Sequence, residues 1–459
     1  MDTHPLDAHR PATHLLDTQR RTQIFEVSTL YGAATLAAAL DTGQFGPRAE
    51  ARRILLVSNN AEIPETALRL DAMTGYDRIA ARFDEVIDWN EAIRPNHPGS
   101  WGPRTDEAPL WQRAFRTAWG LSSAPVELIV ESIQVNPAQA LAAIFAESPV
   151  QVYADGLMSY GATRDELPQQ IACRIQRLLH LDLVPGLRPL LLSEFGVEPE
   201  LVPDDAFRKV LAEIAEAAAG DQQVTQAIEA APTALLLGQY MAALGIVTAE
   251  EEEDLHVRML RGAAAAGHRS VIFKPHPTAP ARYSLALNEA AAETGVKLTV
   301  LDGPLLAETF YERCRPQLVV GCFSTAMLTA AVYYDIPVAR VGTEMVLERL
   351  TPYENSNRMP LVIVDHLVPD LEQGQTPAVP GAGPDTLEPL VRAVGYCMQP
   401  NLHRGLRDEV VGLLHDRRGD DSTGRYVPPA RLTELDLPGA APPGPAARLR
   451  RTLVRGRRG

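Results

Sequence analysis

Three short segments of this chain combine residue types that could do chemistry. The first, Ser270-Val-Ile-Phe-Lys-Pro-His-Pro277, runs an apolar strand into a Lys-Pro-His-Pro terminus. Each proline excludes helical backbone from the residue before it, so Lys274 and His276 are held extended and project from a stiff mount. A cation beside a titratable imidazole at the carboxyl end of a strand suits a phosphorylated leaving group. A strand that merely ends in a proline turn accounts for the same residues. In the second segment, Tyr153-Ala-Asp-Gly-Leu-Met-Ser-Tyr-Gly161, Asp155 follows a strand and Gly156 lets the backbone turn sharply. An aspartate so placed serves as a general base where a cleft raises its pKa, or as the opening of an Asp-Gly turn. The third, Gly321-Cys-Phe-Ser-Thr-Ala326, sets Ser324 and Thr325 at the start of a small-residue helix. There, hydroxyls and free backbone N–H groups either hold a phosphate or simply cap the helix.

The elements that must position these residues are legible in the hydrophobic pattern. From Thr233 onward, apolar strands at 233–240, 270–273, 296–301, 317–323 and 336–342 alternate with helical patterns at 249–266, 285–293, 304–313 and 325–333. Continuous apolar strands separated by helices predict a parallel sheet covered on both faces. The first part repeats the theme, with strands at 23–28, 53–58, 85–89, 126–132 and 150–154, and residues 165–228 read as a mostly helical connection. The expected fold class is therefore α/β, with two Rossmann-like doubly wound domains facing a cleft. Its divisions are an extension at 1–21, a first domain at 22–230, a second at 231–370, C-terminal helices at 371–427 and a disordered tail at 428–459.

Composition bounds the function. The 459 residues, 46% of them hydrophobic, are enough for two well-buried cores. A net charge of −15 argues against nucleic acid as a partner. Cys173, Cys314, Cys322 and Cys397 show no C-x-x-C spacing, which predicts reduced thiols and no zinc. The segment 1–21 has no apolar run and 233–249 is too short and polar to span a bilayer, so a cytoplasmic protein is expected. Arg448, Arg450, Arg451, Arg455, Arg457 and Arg458 in the tail could hold it against the anionic inner face of the cell membrane.

Asp155-Gly156, His276-Pro277 and Ser324-Thr325 follow one another in an order that resembles the bacterial sialyltransferases of the GT-B type, with their acidic-acidic-Gly, His-Pro and Ser/Thr motifs. The contexts QIFEVSTLYGAATLAAAL at 23–40, LVSNNAEIPE at 56–65 and VYADGLMSYG look like the α-2,8-polysialyltransferase family in particular, and the resemblance covers about residues 22–365. It implies inverting transfer of sialic acid from CMP-sialic acid to a glycan hydroxyl, with no cofactor and no metal. The first domain would then hold the acceptor and the second the CMP-sugar. In this reading Asp155 is the base, with Gly156 and Glu131 on the acceptor side, and His276 assists the leaving phosphate. Lys274, Pro277, Ser324, Thr325, Gly238, Gln239 and Glu344 would contact the donor. One departure stands out: Ala154 occupies the place of the first acidic residue, which leaves Glu131 and Glu26 as fallback carboxylates. The sequence leaves open a different CMP-activated nonulosonic or ulosonic acid, and a catalytically silent nucleotide- or glycan-binding scaffold.

Overall fold

The computed structural model describes residues 20–276, 283–381, 384–416 and 421–439. Among the described residues, twelve strands form two wholly parallel sheets. The first sheet comprises β1 (Arg21–Val27), β2 (Ala51–Val57), β3 (Glu85–Asp88), β4 (Val126–Val130), β5 (Val150–Ala154), β6 (Ile175–His180) and β7 (Pro199–Leu201). Their spatial order is β3-β2-β1-β4-β5-β6-β7. The second comprises β8 (Ala234–Leu237), β9 (Ser270–Lys274), β10 (Lys297–Val300), β11 (Leu318–Gly321) and β12 (Val338–Arg340), ordered β10-β9-β8-β11-β12. Both sheets reverse direction beside their first strand, at β1/β4 and at β8/β11. Those switch points are where doubly wound sheets open a crevice for ligands. The two doubly wound α/β sheets expected from the sequence are observed.

The sequence pattern explains the central strands. Ile24, Phe25, Ile129, Leu235, Ile272 and Val319 are all fully buried, as befits strands with helices on both faces. The segment 165–228 departs from the helical reading, because β6 and β7 lie within it. In β6, Gln176, Arg177 and His180 interrupt the apolar run, and β7 is a three-residue edge strand opening on Pro199, so neither carries the usual signature. Arg177 is held by its polar neighbours, donating to Gln151 Oε1 at 2.7 Å and to Glu200 at 2.8 Å.

A single apolar core runs from the first sheet into the second. Phe207, on the connecting helix Asp204–Ala217, is fully buried and stacks edge-on against Tyr31 of the first domain at 5.2 Å and Tyr333 of the second at 5.4 Å. After β12 the chain returns to the first domain. The Gln399 amide donates to the Arg164 carbonyl, and Gly395 lies so close to Leu190 that a Cβ there would sit 2.2 Å from its side chain. Buried Asp365, in a helix that follows β12, accepts from Thr343 just past that strand at 2.5 Å and, from the returning segment, from Arg425 at 2.7 Å and Tyr426 at 2.8 Å. Residues 428–439, assigned to the tail on composition, include the helix Pro429–Glu434 with Arg431 and Leu432 buried. The arginine cluster from Arg448 onward and most of the segment 1–21 lie outside the described residues. Cys322 and Cys397 are buried free thiols, and Cys173 and Cys314 are also unbridged. Among the described residues no helix is long and apolar enough to cross a membrane.

Candidate functional site

Parallel pairing of β1 with β4 and of β4 with β5 brings three carboxylates from distant sequence positions to the carboxyl end of the sheet. Glu26 is 2% exposed and accepts hydrogen bonds from the Ser58 hydroxyl at 3.0 Å and the Glu131 backbone N–H at 3.1 Å. Glu131, just past β4, accepts from the Ser28 N–H at 3.0 Å and the Ser28 hydroxyl at 2.6 Å. Asp155, just past β5, is half-buried and accepts from the Thr29 hydroxyl. Its room comes from Gly32: a Cβ there would lie 3.1 Å from Asp155 Oδ2 and 3.3 Å from the Tyr153 hydroxyl.

These groups disfavour one another's charge. Burial first, and then the neighbouring Glu131 charge, push Asp155 up from 3.8 to about 7 and Glu26 from 4.5 to about 8. Burial also raises Glu131, against the stabilising Ser28 hydrogen bonds. Such carboxylates share protons as a set. An aspartate that titrates near neutrality can both accept a proton and stay charged in the working range. Beside Ala154, which brings no carboxylate, Glu26 and Glu131 of the neighbouring strands stand close enough to act on Asp155.

The second sheet contributes a cationic and aromatic corner. Lys274, at the end of β9, is 7% exposed and donates to the Gly303 carbonyl at 3.1 Å. Burial lowers its pKa to about 8 against the pull of Asp302. The His276 ring stacks on Tyr240 with centroids 4.5 Å apart and planes 15° from parallel. Burial, then the Lys274 charge, lower its pKa to about 4, so the imidazole is neutral at neutral pH. Gly238 serves this mount directly, because a Cβ there would lie 2.8 Å from Pro275 Cα and 3.0 Å from the His276 nitrogen. The Gln239 side chain turns into its own domain, donating to the Leu237 carbonyl at 3.1 Å, while its backbone N–H donates to His256 Nε2 at 2.9 Å. Glu344 is exposed in the first turn of the helix Thr343–Arg349. Pro277 lies outside the described residues.

The two sheets meet where the third segment predicts a helix start. Ser324 caps the helix Thr325–Tyr334, accepting from the Ala326 N–H at 3.3 Å. Thr325 Oγ1 accepts from the Leu157 N–H at 3.4 Å, and a Cβ on Gly156 would sit 3.1 Å from that oxygen. One turn further on, Thr329 Oγ1 and the Tyr31 hydroxyl are 2.8 Å apart. Asp155-Gly156 and Ser324-Thr325 therefore face each other across the domain boundary.

Several neighbours of these residues carry no sequence signal of this placement. Thr29, Ser28 and Gly32 belong to the β1-to-helix turn, where Thr29 reads as an ordinary N-cap. Glu308, 3% exposed, is pushed by burial to about 7, and its charge acts on Tyr31. Among the described residues no group of three or more His, Cys, Asp or Glu side chains is arranged to hold a metal ion.

The model of the family described as Alpha-2,8-polysialyltransferase matches residues 23–343. No curated protein matches the chain. Among solved structures it is similar to a sialyltransferase from Photobacterium damsela, with 13% identity, 75% of this chain and 78% of that chain covered, and a TM-score of 0.41. It is also similar to MurG from Acinetobacter baumannii, with 9% identity, coverage of 85% and 99%, and a TM-score of 0.39. A putative UDP-N-acetylglucosamine 2-epimerase from Listeria monocytogenes matches with 12% identity, coverage of 83% and 97%, and a TM-score of 0.38.

Proposed function

The chain belongs to the alpha-2,8-polysialyltransferase family, and from that premise we propose an inverting, metal-independent transfer of sialic acid from CMP-sialic acid to a glycan hydroxyl. The observation that carries the residue assignment is the meeting of Asp155, with its proton affinity near neutral, and the helix start at Ser324-Thr325. In this mechanism Asp155 removes the acceptor proton while the acceptor oxygen attacks the anomeric carbon. The bond from that carbon to the CMP phosphate breaks through an oxocarbenium-like transition state. Charge collecting on the phosphate meets Lys274, an N–H of His276, the Ser324 and Thr325 hydroxyls and the positive end of the helix Thr325–Tyr334. A phosphate beside His276 also raises the proton affinity that burial and Lys274 suppress, so the imidazole becomes a better donor as the leaving group departs.

A thermal-shift panel of CMP, CDP, UMP, UDP and GDP tests the donor class without knowledge of the acceptor. A nucleotide at a hundred times its dissociation constant stabilises the native state by about 2.7 kcal/mol. Cytidine nucleotides are expected to approach that effect with and without EDTA. A preference for UDP, or a shift abolished by EDTA, overturns the proposal.

A further inference from the structure

The helix Ala249–Ala265 opens on an acidic run, Glu250 to Glu253, of the kind that ordinarily forms a solvated first turn. A capping box fixes its start: Glu251 accepts the Thr248 N–H at 2.9 Å, and the Thr248 hydroxyl accepts the Glu251 N–H at 3.2 Å. That register turns Glu252 inward, and His256, four residues on, lies on the same face. Glu252 is 2% exposed and His256 is fully buried. A helix that needed only a packed face would carry apolar residues at both positions, as it does at Leu255, Met259 and Leu260.

What the two polar side chains hold is the loop that follows β8. Glu252 accepts the Met241 N–H at 2.6 Å and the Ala242 N–H at 3.4 Å. Burial lowers the His256 pKa to about 4, so the ring is neutral and its Nε2 accepts the Gln239 N–H at 2.9 Å. The Gly238 N–H donates to the Lys274 carbonyl at 2.9 Å. These four donors flank Tyr240 on both sides, and the Tyr240 ring lies on the His276 imidazole. An imidazole donates only in its own plane, so a ring stacked 15° from parallel fixes the direction in which His276 can offer a proton. Burying the Glu252 carboxylate costs free energy that its two backbone N–H bonds offset only while the loop keeps this course.

We propose that Glu252, His256 and Tyr240 are positioning residues: the first two clamp the 238–242 loop so that the Tyr240 ring aims His276 at the leaving phosphate. The proposal rests on the transferase reading above. Its test measures transfer from CMP-sialic acid by the full chain, for each variant with and without His276→Ala. Tyr240→Phe keeps the ring and should stay within about twofold of wild type, whereas Tyr240→Leu, Glu252→Ala and His256→Ala should each lower kcat at least about tenfold with KM for CMP-sialic acid nearly unchanged. On top of His276→Ala the same three substitutions should lower the residual transfer no further, because the group they position is gone. The upfield NMR shift that the Tyr240 ring imposes on the His276 ring protons should be lost in Tyr240→Leu and Glu252→Ala, a readout that needs no chemistry. Should Glu252→Ala fail to fold, Glu252→Gln, which keeps an oxygen for the Met241 N–H, should show a smaller loss of kcat with the same unchanged KM. Wild-type kcat in Tyr240→Leu, or an undiminished loss when Tyr240→Leu is added to His276→Ala, overturns this inference alone. A wild type that shows the shifted His276 signal but neither transfers nor hydrolyses CMP-sialic acid overturns the underlying transferase reading instead.

Discussion

Asp155 carries the most exposed prediction, because its pKa of about 7 owes part of its rise to Glu131. The base must be ionised, so kcat/KM is expected to rise with pH through about 7. In Glu131→Gln, which removes the like charge while its amide oxygen still accepts from Ser28, that limb should move to lower pH. An unmoved limb would assign the base elsewhere. Asp155→Asn should abolish transfer with donor binding retained, and His276→Ala should lower transfer by about a hundred to ten thousandfold with the fold intact. The same cluster sets a stability trend. Glu26 has its folded pKa, about 8, above the usual 4.5, so the native state holds extra protons and its stability falls as pH rises between those values. The melting temperature should therefore decline from pH 5 to pH 8, and less steeply in Glu26→Gln. Asp155, Glu131 and Glu26 were legible in sequence as carboxylates near strand ends. That they act on one another was not, since their proximity arises from the parallel register of strands up to about a hundred residues apart.

At the scale of elements, the close packing of β8 against the end of β9 makes Gly238 the sharpest probe. Its Cβ would collide with backbone at Pro275 and His276, which cannot rotate away as a side chain can. Gly238→Ala should cost about 1–3 kcal/mol of stability, as overpacking does. It should also reduce transfer by about a hundredfold by displacing His276. Gly412→Ala, in open space on the helix Arg407–Asp416, is the matching control: it should leave transfer unchanged and raise stability by about 0.5–1 kcal/mol, the opposite sign. The central strands were readable because burial on both faces demands continuous apolar runs, as in Ala234–Leu237 and Leu318–Gly321. The edge strand β7 escapes that demand, and β6 beside it places Gln176, Arg177 and His180 where an apolar run is expected, so neither shows in the pattern.

Across the whole molecule, the shared core makes the two sheets one thermodynamic unit. Calorimetry should show a single unfolding transition, and Phe207→Ala, which empties the space between Tyr31 and Tyr333, should destabilise it by about 3–5 kcal/mol. Two separate transitions would show that the core does not couple the domains. The return of the C-terminal helices to the first domain sets a timetable for biosynthesis. Leu190 and the Arg164 carbonyl meet their partners Gly395 and Gln399 only after more than two hundred further residues have been added. The first domain therefore leaves the ribosome with part of its apolar surface bare, and it must wait through the synthesis of the second before that surface is covered.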